Sequence, residues 1–359
     1  MLSQNSKKHM DACRFCWMCR HLCPVGLKTG REVNTPRAKG LLLSMVERGE
    51  KFDADIASAI YECLLCGSCT NDCVTGYDPL IFIREARTMA AAMELMPEAV
   101  EKIVENINNS GNLYGVQKPR YTGIQARADV LLYVGEVAAC TQPAMVEAVM
   151  SLLNKAGIPF AILEEEPASG TFLGDLIGFV EEVRAQARDC ADAINASGAK
   201  TVVVLDSYDA ATMKQRYPEW DCPIQADVLT ATAFIAKLIE EEKLIPKKTA
   251  GEVTYHDDTR LARDLDEHEP VRNIIKAMGL NLHEMFLNRR MAKCCGSEIF
   301  KAYAPGLAAQ TSEGRWEDIS RTGVDTLVVV SPQVMNVMGV NIPSGKQRKD
   351  LFDLLNRVC

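Results

Sequence analysis

The chain has 359 residues, of which 47% are hydrophobic and 25% are charged, and its formal net charge is −8. This composition is typical of a globular protein with two or three domains, and the acidic balance argues against nucleic acid as the main partner. The sequence contains no apolar run of about 18 residues that would predict a transmembrane helix and no apolar signal-peptide core. We therefore expect a cytoplasmic protein, with peripheral attachment to a membrane through a partner as the alternative.

Two cysteine runs with the same spacing stand out near the start of the chain. The first reads C-x-x-C-x-x-C-x-x-x-C-P over residues 13–24, and the second repeats the cysteine spacing over residues 63–73, followed by Val74 instead of Pro. In proteins with two [4Fe-4S] clusters, three cysteines of one run and the last cysteine of the other hold each cluster. The spacing therefore predicts Cys13, Cys16, Cys19 and Cys73 as ligands of cluster 1, and Cys63, Cys66, Cys69 and Cys23 as ligands of cluster 2.

Other uses of these cysteines fit the spacing less well. Disulfides are typical of small secreted domains, and structural zinc usually takes paired C-x-x-C hooks rather than triplets with a trailing fourth cysteine. Buried structural thiols would not require the triplet spacing at all. The six cysteines outside the runs are scattered, apart from the adjacent pair Cys294 and Cys295.

Residues 1–100 predict an all-helical domain around the two runs. After a polar loop, Thr35 as N-cap and Pro36 in the first turn predict one helix. Apolar residues at helical spacing predict a second helix over 53–63, and a third begins at Pro79 and ends before a later proline. The stretch that follows is rich in turn-forming residues and is expected to be a connector.

From residue 128 onward, short apolar runs alternate with helical patterns. The runs at 130–135, 160–163 and 200–206 have the length and continuity of buried parallel strands, and the alternation indicates βαβ units. Three landmarks, at 251–256, 293–296 and 325–331, repeat earlier stretches at a nearly constant offset, which predicts an internal duplication. The expected fold is multidomain, α plus α/β, with boundaries at 1–100, 101–127 for the connector, 128–245 and 246–359.

These features resemble iron–sulfur subunits that combine an N-terminal dicluster ferredoxin domain with two C-terminal cysteine-rich CCG domains. The group includes heterodisulfide reductase subunits and the iron–sulfur subunits of glycolate oxidase, lactate utilisation and anaerobic glycerol-3-phosphate dehydrogenase systems. The resemblance covers nearly the whole chain. Besides the cysteine runs, it rests on the motifs Thr35-Pro36-Arg37, Tyr217-Pro218-Glu219, and Asn288-Arg289 before Cys294-Cys295-Gly296.

The chain departs from this family at the CCG cysteines, which hold an unusual catalytic cluster in the heterodisulfide reductase relatives. The first copy carries other residues at all five positions: Glu136, Ala168, Ser169, Asp206 and Asp209. The second copy retains only Cys294 and Cys295, with Thr259 at the first position and Ser331-Pro332-Gln333-Val334 at the last motif. Two thiolates are too few for that cluster, so the resemblance implies that neither copy holds one and that disulfide chemistry is not expected.

Several of these positions have two interpretations. Cys294 and Cys295 are either inert packing thiols or a redox-active or metal-binding remnant. Asp206 and Asp209 could bind a metal through oxygen or cap a helix. A third group consists of His256, Asp257 and Asp258. It resembles a metal-binding motif, but the simpler interpretation is a core or loop histidine with two neighbouring acids.

Two pairs of residues in the helical domain also invite a functional interpretation. Phe15 and Trp17 lie between cluster ligands and are expected to shield the clusters from water, which tunes their potentials. Arg84 and Arg87 lie on the third predicted helix. They would either pair with the acids of a partner or occupy a solvated helix face.

The resemblance implies an electron-transfer subunit rather than a self-sufficient enzyme, since the sequence has neither a dinucleotide fingerprint nor a nucleophile elbow. Its two [4Fe-4S] clusters would relay single electrons between a flavoprotein dehydrogenase or oxidase subunit, which holds FAD or FMN, and a downstream acceptor. That acceptor would be a quinone, a ferredoxin or an electron-transferring flavoprotein. The alternatives are a heterodisulfide reductase-like catalytic subunit and a module whose clusters only stabilise the fold.

Overall fold

A computed structural model describes residues 2–122 and 125–359 as a helical N-terminal part followed by two α/β units. The helical part contains both cysteine runs. Its helices are α1 (Gln4–Asp11), α2 (Pro24–Thr29), α3 (Pro36–Glu47), α4 (Ala54–Tyr61), α5 (Ser68–Asn71), α6 (Pro79–Ala92) and α7 (Glu98–Ser110).

Side-chain caps fix where the predicted helices begin. Thr35 Oγ1 accepts a hydrogen bond from the Ala38 amide at 3.3 Å, which confirms the predicted cap of α3. Asp53 does the same for α4 by accepting from the Ile56 amide at 3.0 Å. Such caps satisfy amides that would otherwise lack a partner in the first helical turn.

Helix α6 forms the centre of the helical part. It packs against α1, α3 and α4, and on its other side against α10 of the first α/β unit. Phe82, Ile83 and Ala86 are fully buried on it, at the three- and four-residue spacing that keeps side chains on one helix face. The central helix therefore joins the cysteine-bearing loops to the remainder of the chain.

Two stretches expected to be irregular are helical. The predicted connector over 101–127 begins inside α7, where Val100, Ile103 and Ile107 form a buried stripe. The turn-forming asparagines end this helix instead of preventing it, and Gly111 caps it in a left-handed conformation. The polar loop expected after the first cysteine run likewise contains α2.

The first α/β unit has strands β1 (Val130–Tyr133), β2 (Phe160–Ala161), β3 (Thr201–Val204) and β4 (Asp227–Thr230). Its helices are α8 (Glu136–Thr141), α9 (Pro143–Lys155), α10 (Thr171–Ile177), α11 (Glu181–Ser197), α12 (Ser207–Gln215) and α13 (Ala231–Glu240). The strands are parallel in the order β2-β1-β3-β4.

The second α/β unit has strands β5 (Glu252–Tyr255), β6 (Asn281–Leu282), β7 (Thr326–Val329) and β8 (Gln347–Asp350). Its helices are α14 (Glu269–Ala277), α15 (Glu298–Tyr303), α16 (Pro305–Ser320), α17 (Pro332–Val337) and α18 (Leu351–Asn356). The order β6-β5-β7-β8 is equivalent to that of the first sheet, as an internal repeat would require.

The two α/β units pack through equivalent helices. The first helix pair joins α9 to α18, and the second joins α13 to α14. In each pair, the long helix after the first strand of one unit meets the last helix of the other. Such reciprocal contacts between equivalent helices are the geometry of a two-fold symmetric interface. It produces one core to which Leu132 and Val203 contribute from the first sheet and Val328 from the second.

The helical part lies across both units. Helix α6 contacts α10 in the first unit, whereas α2 contacts α16 and α7 contacts α15 in the second. Because Cys23 is the residue that caps α2, one predicted cluster ligand is anchored directly beside the second α/β unit.

Candidate metal centres

The two C-x-x-C-x-x-C loops have the same unusual backbone. Phe15 and Leu65, at equivalent positions, have φ angles of 54° and 51°, and Trp17 and Gly67 have angles of 68° and 74°. Left-handed conformations of non-glycine residues cost about 1–3 kcal/mol and persist where surrounding structure holds them. The repeated turns curl each loop so that its three cysteines face one side.

The cysteines predicted for cluster 2 line a single cavity. Cys63, Cys66 and Cys69 enter it from the second loop, and Cys23 enters from the first run. Apolar side chains, including Leu64, Leu80 and Ile83, form much of the remaining wall, together with Asn34, Lys39 and Ser68. The fold thus brings Cys23 to three thiols of the second loop, although 39 residues separate it from the first of them, Cys63.

Polar groups already point at the sulfurs of this cavity. The Gly26 amide donates to Cys23 Sγ at 3.4 Å, and the Leu65 amide donates to Cys63 Sγ at 3.4 Å. Cys66 Sγ lies 3.6 Å from the hydroxyl oxygen of Ser68. Hydrogen bonds to ligating sulfurs stabilise thiolates and help to set a cluster's reduction potential.

The cysteines predicted for cluster 1 form a second group near the surface. Burial, together with charge repulsion from the neighbouring Cys13, Cys16 and Cys73, raises the pKa of Cys19 to about 11. Cys16 is exposed to solvent. Cys73 Sγ lies 3.2 Å from the Thr75 hydroxyl. This group is therefore open to water on one side, unlike the cavity of cluster 2.

The donor sets fit clusters better than single ions. In the described parts of the chain, no three His, Cys, Asp or Glu side chains are close enough to share one metal ion. A zinc ion would draw four ligands to within about 2.3 Å of itself, whereas each thiolate of a four-iron cluster binds a different iron. All-thiol sets of four suit two [4Fe-4S] clusters, and the assignment of individual ligands stays a prediction.

The aromatic residues between the ligands do not shield the clusters. Phe15 is 53% exposed and Trp17 is 42% exposed, contrary to the expectation from sequence. The guanidinium of Arg37 stacks on the Trp17 ring at 3.6 Å and holds it at the surface. Both rings therefore form part of an outward apolar surface around cluster 1.

Both expectations for Arg84 and Arg87 are wrong, because neither side chain is on a solvated face and both bind groups within the chain. Arg84 forms an ion pair with Asp175 at 3.2 Å. Arg87 is fully buried and donates to the Cys63 carbonyl at 2.7 Å, so it contacts the loop of cluster 2 directly. Because α6 packs against α10 on this face, both arginines are inside the molecule.

The two retained cysteines are buried in different apolar clusters. Cys294 packs with Val25 and Leu64, beside Cys23 and Cys66 of the cluster 2 cavity. Cys295 is buried in the separate core of the second α/β unit, where burial raises its pKa to about 12. Cys294 is therefore the member of the pair that packs directly against the cluster 2 cavity.

In the first unit, four of the five positions of the family's cysteines carry buried, hydrogen-bonded polar side chains. Ser169 Oγ donates to Asp209 Oδ1 at 2.5 Å. Asp206 caps α12 by accepting from the Tyr208 amide at 3.0 Å, as the capping interpretation predicted. Its other oxygen accepts from Gln333 Nε2 of the second unit at 3.0 Å. This network joins the two α/β units.

Burial shifts the carboxyl groups of this network toward their neutral forms. The pKa of Glu136 is raised to about 8 and that of Asp206 to about 7, in both cases chiefly by burial. Glu136 still accepts a hydrogen bond from the Leu113 amide at 2.7 Å. A largely protonated network can be buried without the full penalty of an unpaired charge.

The histidine motif of the second unit is engaged by arginines. Arg315 Nε lies 2.9 Å from His256 Nδ1, and burial together with this cation lowers the pKa of His256 well below its usual value. Asp257 forms an ion pair with Arg272 at 2.8 Å. Asp258 accepts from the Arg260 amide at 2.9 Å. The motif is thus part of the packed interior, which supports the simpler interpretation.

Two cations beside cluster 2, Lys39 and Arg263, have no counterpart among the sequence-based predictions, and a third, Arg87, was expected on a solvated helix face or facing a partner. Lys39, Arg87 and Arg263 are all buried. Lys39 lies on α3 within a polar stretch that looks solvated in sequence, and Arg263 is distant along the chain. Only the spatial arrangement of α3, α6 and the π-helix at Arg260–Asp264 brings these charges together.

Comparison with known proteins identifies a 4Fe-4S dicluster domain over residues 9–77 and a CCG cysteine-rich domain over residues 253–337. One chain of the dihydromethanophenazine:CoB--CoM heterodisulfide reductase of Methanosarcina barkeri is 27% identical over 90% of this chain and 87% of its own length. EtfAB:quinone oxidoreductase of Syntrophomonas wolfei is 24% identical over 93% of this chain and 49% of its own length.

A solved structure of a hypothetical protein from Helicobacter pylori shares the fold, with a TM-score of 0.59. It covers 99% of this chain and 73% of its own, at 8% identity. This likeness concerns the fold alone. Among the described residues, no helix combines the length and apolar character needed to cross a membrane.

The buried network predicts a pH-dependent stability. A carboxyl whose pKa is raised in the folded state contributes most to stability at low pH, and this contribution falls as pH rises toward the folded pKa. We expect the free energy of unfolding, measured anaerobically with urea, to fall between about pH 5 and pH 8. Glu136→Gln, which cannot ionise, should reduce that slope.

Glu147→Gln provides the control, since Glu147 is exposed on α9. It should leave the slope unchanged. An unaltered slope in Glu136→Gln would show that this carboxyl is ionised in the folded protein or has an ordinary pKa there.

Proposed function

Because the chain combines a 4Fe-4S dicluster domain with a CCG domain, we propose that it is an iron–sulfur electron-transfer subunit of a larger oxidoreductase. The observation that carries this proposal is the convergence of Cys23, Cys63, Cys66 and Cys69 on one enclosed cavity. When bound there, a [4Fe-4S] cluster supplies reversible one-electron transfer. The loops hold its ligands, and the apolar walls exclude water.

The partner in this proposal is a flavoprotein dehydrogenase or oxidase subunit that holds FAD or FMN. A reduced flavin carries two electrons, and two clusters in one chain can receive them one at a time. The name of the relative EtfAB:quinone oxidoreductase connects such a flavoprotein to a quinone. It supports a quinone-linked acceptor here, with a ferredoxin or an electron-transferring flavoprotein as the other acceptors of this class.

Electrons exchange with the partner at the surface of cluster 1. Large apolar side chains surround the exposed Cys16, and we call them the cluster 1 face: Phe15, Trp17, Met18 and Val74. An exposed apolar patch of this kind is typical of an interaction site. The cluster 2 cavity is instead enclosed by protein.

Exposed arginines beside this face favour an acidic partner. Residues 1–37 contain seven Lys or Arg and two Asp or Glu, a net charge of +5 in a chain whose total is −8, and part of this charge is paired with acids outside the segment, as Lys7 is with Glu47 and Lys28 with Glu317. Arg14 and Arg20 flank the apolar residues and are exposed. Opposite charges across an interface raise association rates more than they raise final affinity. We therefore propose that the flavoprotein subunit presents an acidic rim to the cluster 1 face.

Anaerobic reconstitution tests the proposed function. The intact chain should bind about eight iron atoms, and the flavoprotein that co-purifies with it should reduce both clusters on mixing, as followed by absorbance. Cys16→Ser should abolish transfer because it breaks cluster 1 at the surface. Cys359→Ser, outside both runs, should behave as the unaltered chain. A chain without iron, or clusters that the flavoprotein does not reduce, would refute the proposal.

Charge reversal tests the docking surface. Arg14→Glu with Arg20→Glu should slow reduction by the flavoprotein at least tenfold at low salt, and the difference should shrink as salt screens the charges. Stopped-flow mixing measures this rate. The matched control is Lys247→Glu with Lys248→Glu, an exposed pair between the α/β units. Equal slowing in both double variants would count against a specific docking face.

One observation favours a second candidate, a heterodisulfide reductase-like catalytic subunit. Cys294 lies against Cys66, so a retained CCG cysteine is next to a predicted cluster ligand. Cys295, however, is buried in a different core, and the first unit supplies a hydrogen-bonded acid network instead of thiols. The electron-transfer role therefore has the better support.

Replacing both thiols separates the two candidates. Cys294→Ala with Cys295→Ala should retain iron and keep the electron-transfer rate within about twofold, because neither thiol is assigned as a ligand. The measurements are iron content and the rate of flavoprotein-to-acceptor transfer. Full iron content with loss of turnover would favour the catalytic candidate.

A further inference from the structure

Three buried cations surround the cluster 2 cavity without a carboxylate partner. Lys39 and Arg87 are each 1% exposed, and Arg263 is 9% exposed. Among the described residues, none of the three forms an ion pair with Asp or Glu. Burying an unpaired charge is costly, because the protein interior solvates it far less well than water. Such a group requires an anion that protein side chains do not supply.

Lys39 reaches the cavity from α3. Its ammonium donates to the Ala59 carbonyl at 2.8 Å and to the Val33 carbonyl at 3.1 Å, and its side chain lines the cavity together with the cysteines. Glu62 is the carboxylate that acts electrostatically on Lys39, and it forms an ion pair with Arg31 at 3.5 Å. Within the described ranges, the hydrogen-bond partners of the Lys39 ammonium are therefore two neutral carbonyl oxygens, and it faces the thiols.

Arg87 and Arg263 hold the second loop from opposite sides. Arg87 donates to the Cys63 carbonyl at 2.7 Å. Arg263 donates to the Cys66 carbonyl at 2.9 Å and to the Arg290 carbonyl at 2.9 Å. Arg87 also donates to the backbone carbonyl of Asp175. The carboxylate of that residue is occupied by two other arginines, Arg84 and Arg260.

The surroundings of cluster 1 differ in charge balance. Arg37, stacked on Trp17, pairs with Glu32 at 2.7 Å, and Arg20 shares the same carboxylate at 3.8 Å. Arg14 is exposed to water. The cations near cluster 1 are thus either neutralised by protein or screened by solvent.

We propose that Lys39, Arg87 and Arg263 share cluster 2 as their counter-ion and make it the first of the two clusters to accept an electron. This inference rests on the proposed function. Four thiolates outweigh the positive charge of an iron–sulfide core, and an added electron increases the negative charge further. Burial alone would oppose that increase. Three fixed cations in a medium of low dielectric favour it.

The electron comes from the reduced flavin of the partner, which gives up one electron in each step. The transfer moves no proton to or from the three side chains. Their role is to position charge, and they are not ligands. An electron that arrives at the exposed cluster 1 is therefore drawn inward to the enclosed site of cluster 2.

Redox titration with electron paramagnetic resonance tests this ordering. A soluble paramagnetic lanthanide chelate should broaden the signal of the exposed cluster 1 and spare that of cluster 2. In the unaltered chain, the signal that the chelate spares should appear first on reduction. Lys39→Met and Arg263→Met should each lower the equilibrium constant for the reduction of cluster 2 by about tenfold or more. This change corresponds to a fall in its reduction potential of about 59 mV.

Matched variants separate charge from packing. Lys39→Arg and Arg263→Lys keep the charge and should restore most of the lost potential. Arg37→Met, beside cluster 1, should leave the potential of cluster 2 unchanged. If either Lys39→Met or Arg263→Met fails to fold, the other variant and the titration of the unaltered chain still test the proposal.

Two results would overturn the proposal. One is that the cluster broadened by the chelate is reduced first in the unaltered chain. The other is that the methionine variants hold full iron with unchanged potentials. In either case both clusters are present and reducible, so the electron-transfer role would stand while the charge proposal fails. Absence of iron from the unaltered chain would instead refute the proposed function itself.

Discussion

The crossed pairing of the two cysteine runs is the constraint on which the helical part depends. Cys23 must leave its own run and enter the cavity formed by the second loop, and Cys73 must return to the first group. The helices between the runs provide the path for this exchange. Helix α2 begins directly after Cys23, and α4 ends just before Cys63. The lengths and caps of these helices therefore fix where the four thiols of each group can meet.

The same arrangement places the two groups in different electrostatic surroundings. The first loop forms the surface, so water and paired side chains moderate the charge of whatever binds there. The second loop lies between α6 and the second α/β unit, where Lys39, Arg87 and Arg263 cannot be screened by solvent. The proposed difference in reduction potential between two chemically similar clusters rests on this difference between their positions in the fold.

Much of the fold was predictable because local signals determine it. The cap at Thr35 and the strand at 201–204 were recognisable from cap chemistry and apolar continuity. The stripe of α7 was overlooked because its asparagines suggested turns, although its apolar residues recur at helical spacing. The site was predictable only as far as spacing carries information. The exposure of Trp17 and the burial of Lys39 depend on tertiary packing, which no local pattern encodes.

The α/β units contribute contacts to the surroundings of the cluster 2 cavity. Arg263 ties the second loop to the segment before Cys294, and Cys294 itself packs over Cys66. The first unit supplies the Asp175 carbonyl that holds Arg87 in place. Without these contacts the cavity would open to water, and its cations would be screened. The contacts of Arg263 and Cys294 from the second α/β unit, and of Asp175 from the first, therefore maintain the enclosure of the cluster 2 cavity.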